Sequence, residues 1–180
     1  MRVPTDPRLA GLTGAPRAAK RGPVPVLDLI DLPSACAAYT PFVGLDLGEK
    51  TIGVAVSDAT RSIGSPLELI RKTKFTDDAN RLFALMKTRG ATGIVIGLPV
   101  NMDGTEGPRC QSVRAFARNL LRLDPTLNIA FWDERLSTAA INRMLIDEAD
   151  MTRSKRAEVV DRAAAGYILQ GALDRLRNAG

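Results

Sequence analysis

The chain has 180 residues, with 25 Lys and Arg against 20 Asp and Glu, a formal net charge of +5, and no histidine. Without an imidazole, a Ser–His–Asp triad, a Cys–His pair and a histidine general base are all excluded. Zinc sites built on histidines or on four cysteines are excluded too, because Cys36 and Cys110 are the only thiols. Any chemistry must run on carboxylates, Lys and Arg, hydroxyls, backbone amides or hard metal ions.

A composition 45% hydrophobic and 25% charged fits a globular domain of ordinary size. The longest apolar run, GIVIGLPV (93–100), is far short of the ~20 residues of a membrane span, so no membrane partner is expected. The amino terminus lacks the apolar core of a secretory signal. Two distant thiols make no disulfide framework, which points to reduced cysteines in the cytoplasm. The basic excess sits in the ends: five basic against three acidic residues over 1–41, balance over 42–150, and six against three over 151–180.

Residues 1–41 hold seven of the 11 prolines among Ala, Arg and Gly. They read as a flexible or loosely docked leader, or as the product of a start codon placed too far upstream, with VLDLI (26–30) as one short packed segment. The domain proper is expected over 42–180. FVGLDL (42–47) and TIGVAVSD (51–58) are β-rich runs around the turn Gly48-Glu49-Lys50, a hairpin signal. IGSPLELI (63–70) follows, and its Pro66 marks an edge strand or a bulge. A helix from Thr76, as cap, to Gly90 carries Ala79, Leu82, Phe83 and Met86 at helical spacing.

GIVIGLP (93–99) reads as a buried parallel strand. The loop NMDGTEG leads to a helix opened by Pro108, with Val113, Phe116, Ala117, Leu120 and Leu121 on one face. Leu127–Trp132 is a strand ending in Asp133-Glu134-Arg135. Ser137 is expected to cap the next helix, TRSKR (152–156) to form a basic loop, and a last helix to run from about 157 to 177. The order β-β-β-α-β-α-β-α-α predicts an α/β, ribonuclease H-like fold: a mixed five-stranded sheet, helices on both faces, the first strand central. Ligand sites in such sheets gather at the strand ends.

Asp46 lies among apolar neighbours on that first strand, where nothing local offsets its desolvation. Asp133 and Glu134 close a later strand, and alternation alone does not say which of them turns to the site. Asp161 shares a helical face with Ala157, Ala164, Ala165 and Ile168, small enough for close approach to a sheet. Each has an ordinary reading, as a strand-end turn, a solvated ion pair or a helix-dipole partner. If they converge, their repulsion calls for Mg²⁺ or Mn²⁺, and two such ions catalyse phosphodiester hydrolysis without histidine. Candidate substrate contacts are Gly48, Lys50 and Thr51 in the first turn, Asn101, Asp103 and Arg109 around the NMDG loop, Arg135, and the basic Arg153, Lys155 and Arg156.

VGLDLGEKTIGVAVSD, IVIGLPVNMDGTEGPR, WDERLST and VVDRAAAGYILQG together resemble the YqgF-type family of pre-16S rRNA nucleases, once called Holliday-junction resolvase-like. The likeness runs from about Phe42 to Leu176, with four motifs in family order. It implies metal-dependent nucleic-acid hydrolysis, acidic positions at Asp46, Glu134 (preferred over Asp133) and Asp161, and trimming of the 5′ end of precursor 16S rRNA in the cytoplasm by a monomer or weak homodimer. The rival readings are a resolvase of branched DNA, a non-catalytic RNA-binding assembly factor and an ATP binder of the actin or sugar-kinase type. For the last the chain is too short, having one phosphate hairpin where two are needed.

Overall fold

A computed structural model describes residues 26–136 and 153–179, with backbone alone over 153–162. Residues 1–25, the expected Ser137 helix and Thr152 lie outside the described residues. The hairpin of β1 (Phe42–Leu47) and β2 (Thr51–Ser57) continues antiparallel into β3 (Gly64–Arg71), then α2 (Phe75–Arg89), β4 (Gly93–Leu98), α3 (Pro108–Leu123) and β5 (Asn128–Asp133) follow. A short α1 (Leu32–Ala35) precedes them, and a 3₁₀ turn (Glu134–Leu136) and the long α4 (Arg153–Arg177) come after.

The sheet order is β3-β2-β1-β4-β5, with β1 central and β4 and β5 parallel to it. That is the mixed ribonuclease H-like arrangement expected from the element order. Pro66 does what its missing N–H requires: β3 is an edge strand, and the β2–β3 register shifts between Val54 and Ala55, beside the Ala55–Pro66 pair.

Alternation along the strands builds two cores. Val43, Leu45, Ile94, Ile96 and Ile129 face α2 and α3, meeting Leu82, Met86, Val113 and Leu120. Phe42, Val95, Ala130 and Trp132 face the other way, onto Ile168, Leu169, Ala172 and Leu173 of α4. Residues 26–41 lie against the sheet: Leu27 bridges to Ala130 beyond β5, Leu32 is fully buried, and Arg61 donates to the carbonyls of Ala37 and Thr40.

Two local expectations need correction. Thr76 does not cap α2, because the helix starts at Phe75 and the buried Asp78 instead turns back to accept from the amide and hydroxyl of Thr73. A carboxylate one turn inside the helix thus satisfies the entering chain more strongly than a hydroxyl would. The last helix starts at Arg153, so the segment expected as a basic loop is already helical. That segment contains no Gly or Pro, and Arg and Lys are good helix formers.

α4 is laid directly on the sheet by glycine. A Cβ on Gly44 would stand 2.6 Å from Leu169 Cβ and 3.0 Å from the Ala165 carbonyl oxygen. Gly44→Ala is therefore expected to push α4 off β1 and destabilise the fold by about 1–3 kcal/mol in urea unfolding.

Candidate active site

Asp46 is the next-to-last residue of β1 and shares the α4 face with Phe42 and Gly44. It is 5% exposed. The β1–β4 register pairs Leu45 with Ile96, so one step further sets Asp46 beside Gly97. On the other side Gly97 pairs with Trp132, which packs on α4. Alternation from Trp132 sends Asp133 to the α3 face and returns Glu134 to the α4 face.

The Glu134 carboxylate lies over Gly97. A Cβ there would come within 2.6 Å of Glu134 Oε1 and 2.5 Å of Ile168 Cδ1. Two carboxylates from distant segments thus flank one bare glycine at the carboxyl ends of the parallel strands.

Asp133 is engaged elsewhere. Its carboxylate accepts from the backbone N–H, Nε and Nη2 of Arg135, at 3.0, 3.1 and 2.6 Å. The Arg135 hydrogen bonds hold the Asp133 carboxyl below its ordinary range against a smaller effect of burial. Of the two acids that the sequence left open, the structure turns Glu134 toward Asp46 and ties Asp133 to arginine.

Asp161 lies on α4 at i−4 from Ala165 and i−7 from Ile168, the residues that touch Gly44 and Gly97. The carboxyl end of α4 is fixed at the β2–β3 turn, where Arg177 Nη2 donates to the Ser62 carbonyl at 2.8 Å. That turn sits at the start of β1, so the helix runs from there back toward the strand ends that carry Asp46. The side chains of Asp161, Arg153, Lys155 and Arg156 lie outside the described residues.

On the α3 side the strand ends open into two adjoining clefts of about 380 and 510 Å³. Gly48, Lys72 and Arg109 line the first, and Asn101, Arg109, Glu134 and Arg135 the second, so Arg109 joins them. Lys50 and Thr51, expected to bind substrate with Gly48, line neither. Asp103 is occupied in its own turn, its Oδ1 accepting from the Thr105 amide and hydroxyl at 2.9 and 2.6 Å, which holds its carboxyl below the usual value.

The residue that sequence reasoning missed is Lys72. It follows β3 and donates from Nζ to the Gly48 carbonyl in the β1–β2 turn. Partial burial pushes its ammonium below the ordinary value, the negative charges of Asp78 and Asp46 pull it back up, and Arg109 presses it down. Only the β2–β3 pairing, which carries Lys72 back beside Lys50, could have revealed it.

The donor set suits a hard cation. Carboxylate oxygens are the ligands Mg²⁺ and Mn²⁺ select, and the bare surface of Gly97 makes room for the Glu134 carboxylate against the sheet. No group of three Asp, Glu or Cys side chains able to hold a metal ion occurs among the described residues.

The family described as RuvX, Holliday junction resolvase, matches residues 40–175. A protein of Phenylobacterium zucineum named "Putative pre-16S rRNA nuclease" is 76% identical over 153 residues, 85% of this chain and 98% of that one. Its namesake in Caulobacter vibrioides is 68% identical over 154 residues, covering 86% of this chain and 99% of its own. This chain belongs to the RuvX family. The structure of T. thermophilus RuvC in complex with Holliday junction substrate aligns more loosely, at 10% identity and a TM-score of 0.44, over 76% of this chain and 96% of that one.

Two outcomes follow for this RuvX member. Gly97→Ala should displace Glu134 and weaken Mn²⁺ binding, read by isothermal titration, by about tenfold or more, the scale of perturbing a ligand's support. Asp133→Asn should cost no more than about 1 kcal/mol at pH 7, because the Arg135 pair is partly exposed. Since the folded carboxyl titrates below its unfolded value of about 3.9, that contribution is present above pH ~4 and is lost as the pH falls further. Thermal melts of both proteins should therefore converge in acid.

Proposed function

We propose that this chain is a divalent-metal-dependent nuclease that hydrolyses phosphodiester bonds of precursor 16S rRNA in the cytoplasm, as a monomer or weak homodimer. The observation that carries the reading is the pair Asp46 and Glu134, set on one sheet face about Gly97 beside clefts lined by Lys72, Arg109 and Arg135. The names of the relatives in Phenylobacterium and Caulobacter supply the substrate.

In this reading Asp46, Glu134 and Asp161 hold Mg²⁺ or Mn²⁺, and Asp133 acts only through Arg135. The bound cations supply Lewis acidity at the scissile phosphate and at the attacking water. Asp46 is fixed by the central strand and Glu134 by its seat on Gly97, so neither must reorganise during the reaction. Lys72 and Arg109 attract the polyanion and fix its register by charge, as does whatever part of the Arg135 field Asp133 leaves. Arg153, Lys155 and Arg156, in the first turn of α4, would add contacts to the nucleic-acid backbone by charge.

A second reading, resolution of branched DNA by the same groups, is favoured by the family's description. Asp46→Asn and Glu134→Gln should each reduce cleavage of a 5′-extended 16S precursor fragment by more than about 100-fold, beyond the 10–100-fold typical of a ligand's supporting groups. Unchanged cleavage by either variant would overturn the metal mechanism. A four-way DNA junction in the same assay, cut in preference to the RNA, would assign the second reading instead.

A further inference from the structure

The first cleft has features that a site for hydrolysing a phosphodiester does not need. Its wall is apolar, formed by Leu47 from β1 and by Val113 and Phe116 from α3, and its rim carries Lys72, Arg109 and Ser112. The Phe116 ring is held edge-on against Phe75, with centroids 5.5 Å apart. Leu47 points to the face opposite Asp46, so this cavity lies on the α3 side of β1. Arg109 makes no hydrogen bond or ion pair among the described residues, and it stands close enough to Lys72 for the two cations to oppose each other. The one carboxylate on the rim is that of Glu49.

Two cations on one cleft favour an anion, whereas an apolar wall with an aromatic ring favours a planar, weakly polar body. A nucleotide combines the two, and about 380 Å³ lies within the range of small-ligand pockets. We infer that this cleft is a nucleotide subsite: it receives one unpaired base against Val113 and Phe116 and that nucleotide's phosphate between Lys72 and Arg109. Arg109 also lines the cleft that holds Glu134, so the nucleotide seated here would be a near neighbour of the bond being cut. A base inside the cleft cannot be paired, so the subsite makes the enzyme select single-stranded nucleic acid at that position. The inference builds on the nuclease reading but is tested without catalysis.

The test uses the full chain in metal-free buffer, titrated with uridine monophosphate, with inorganic phosphate and with a short single-stranded oligonucleotide, and followed by amide NMR. The nucleotide should shift the amides of Leu47, Val113 and Phe116, while inorganic phosphate shifts only those near Lys72 and Arg109. Ser112→Trp, which fills the cleft from an exposed helix position without changing its charge, should weaken oligonucleotide binding about tenfold, as should Arg109→Ala. Equal shift patterns for nucleotide and phosphate, or wild-type binding by Ser112→Trp, would overturn the subsite even if the enzyme cleaves RNA. Nucleotide shifts at Val113 and Phe116 with no cleavage of any nucleic acid would uphold the subsite and reject the nuclease reading alone.

Discussion

A carboxylate on the middle strand of a sheet, almost wholly removed from water, is the constraint around which this molecule is arranged. Desolvating Asp46 costs several kcal/mol unless charge or hydrogen bonds offset it. On its own face, Phe42 and Gly44 pack against α4, Gly44 beside Leu169 and the Ala165 carbonyl. Part of the offset comes from Lys72, whose ammonium feels the Asp46 charge from the end of β3. In the proposed reading a cation shared with Glu134 would add to that offset, so the metal would bear on the stability of the site as well as on its chemistry.

Glycine makes the sharing feasible. Gly44 lets α4 approach β1, and Gly97 opens a seat for the Glu134 carboxylate between the sheet and Ile168. Any side chain at these positions would separate the elements that carry the acids. Close packing and site geometry thus depend on the same two residues, and α4 both covers the hydrophobic face and carries position 161 toward the strand ends.

Most of the fold was legible because the sequence patterns agree with one another. Strand runs, turn residues and helical periods each specify an element, and Pro66 alone indicates the sheet edge. The misplaced features were those in which a distant partner decides. Asp78 took the capping role from Thr76 by reaching back to Thr73. Alternation could not choose between Asp133 and Glu134 until the register with Gly97 and the packing of Trp132 fixed the face. Lys50 looked like the phosphate ligand by proximity in sequence, whereas strand pairing places Lys72 at the cleft. Resemblance singled out Glu134 before the geometry gave a physical reason for it.

The account depends most on joint coordination of a divalent ion by Asp46 and Glu134. Crystals grown with Mn²⁺ and measured near its absorption edge test this directly. An anomalous peak within coordination distance, about 2–2.4 Å, of both carboxylates would bear it out. Strong manganese peaks confined to surface acids, with none between Asp46 and Glu134, would contradict it.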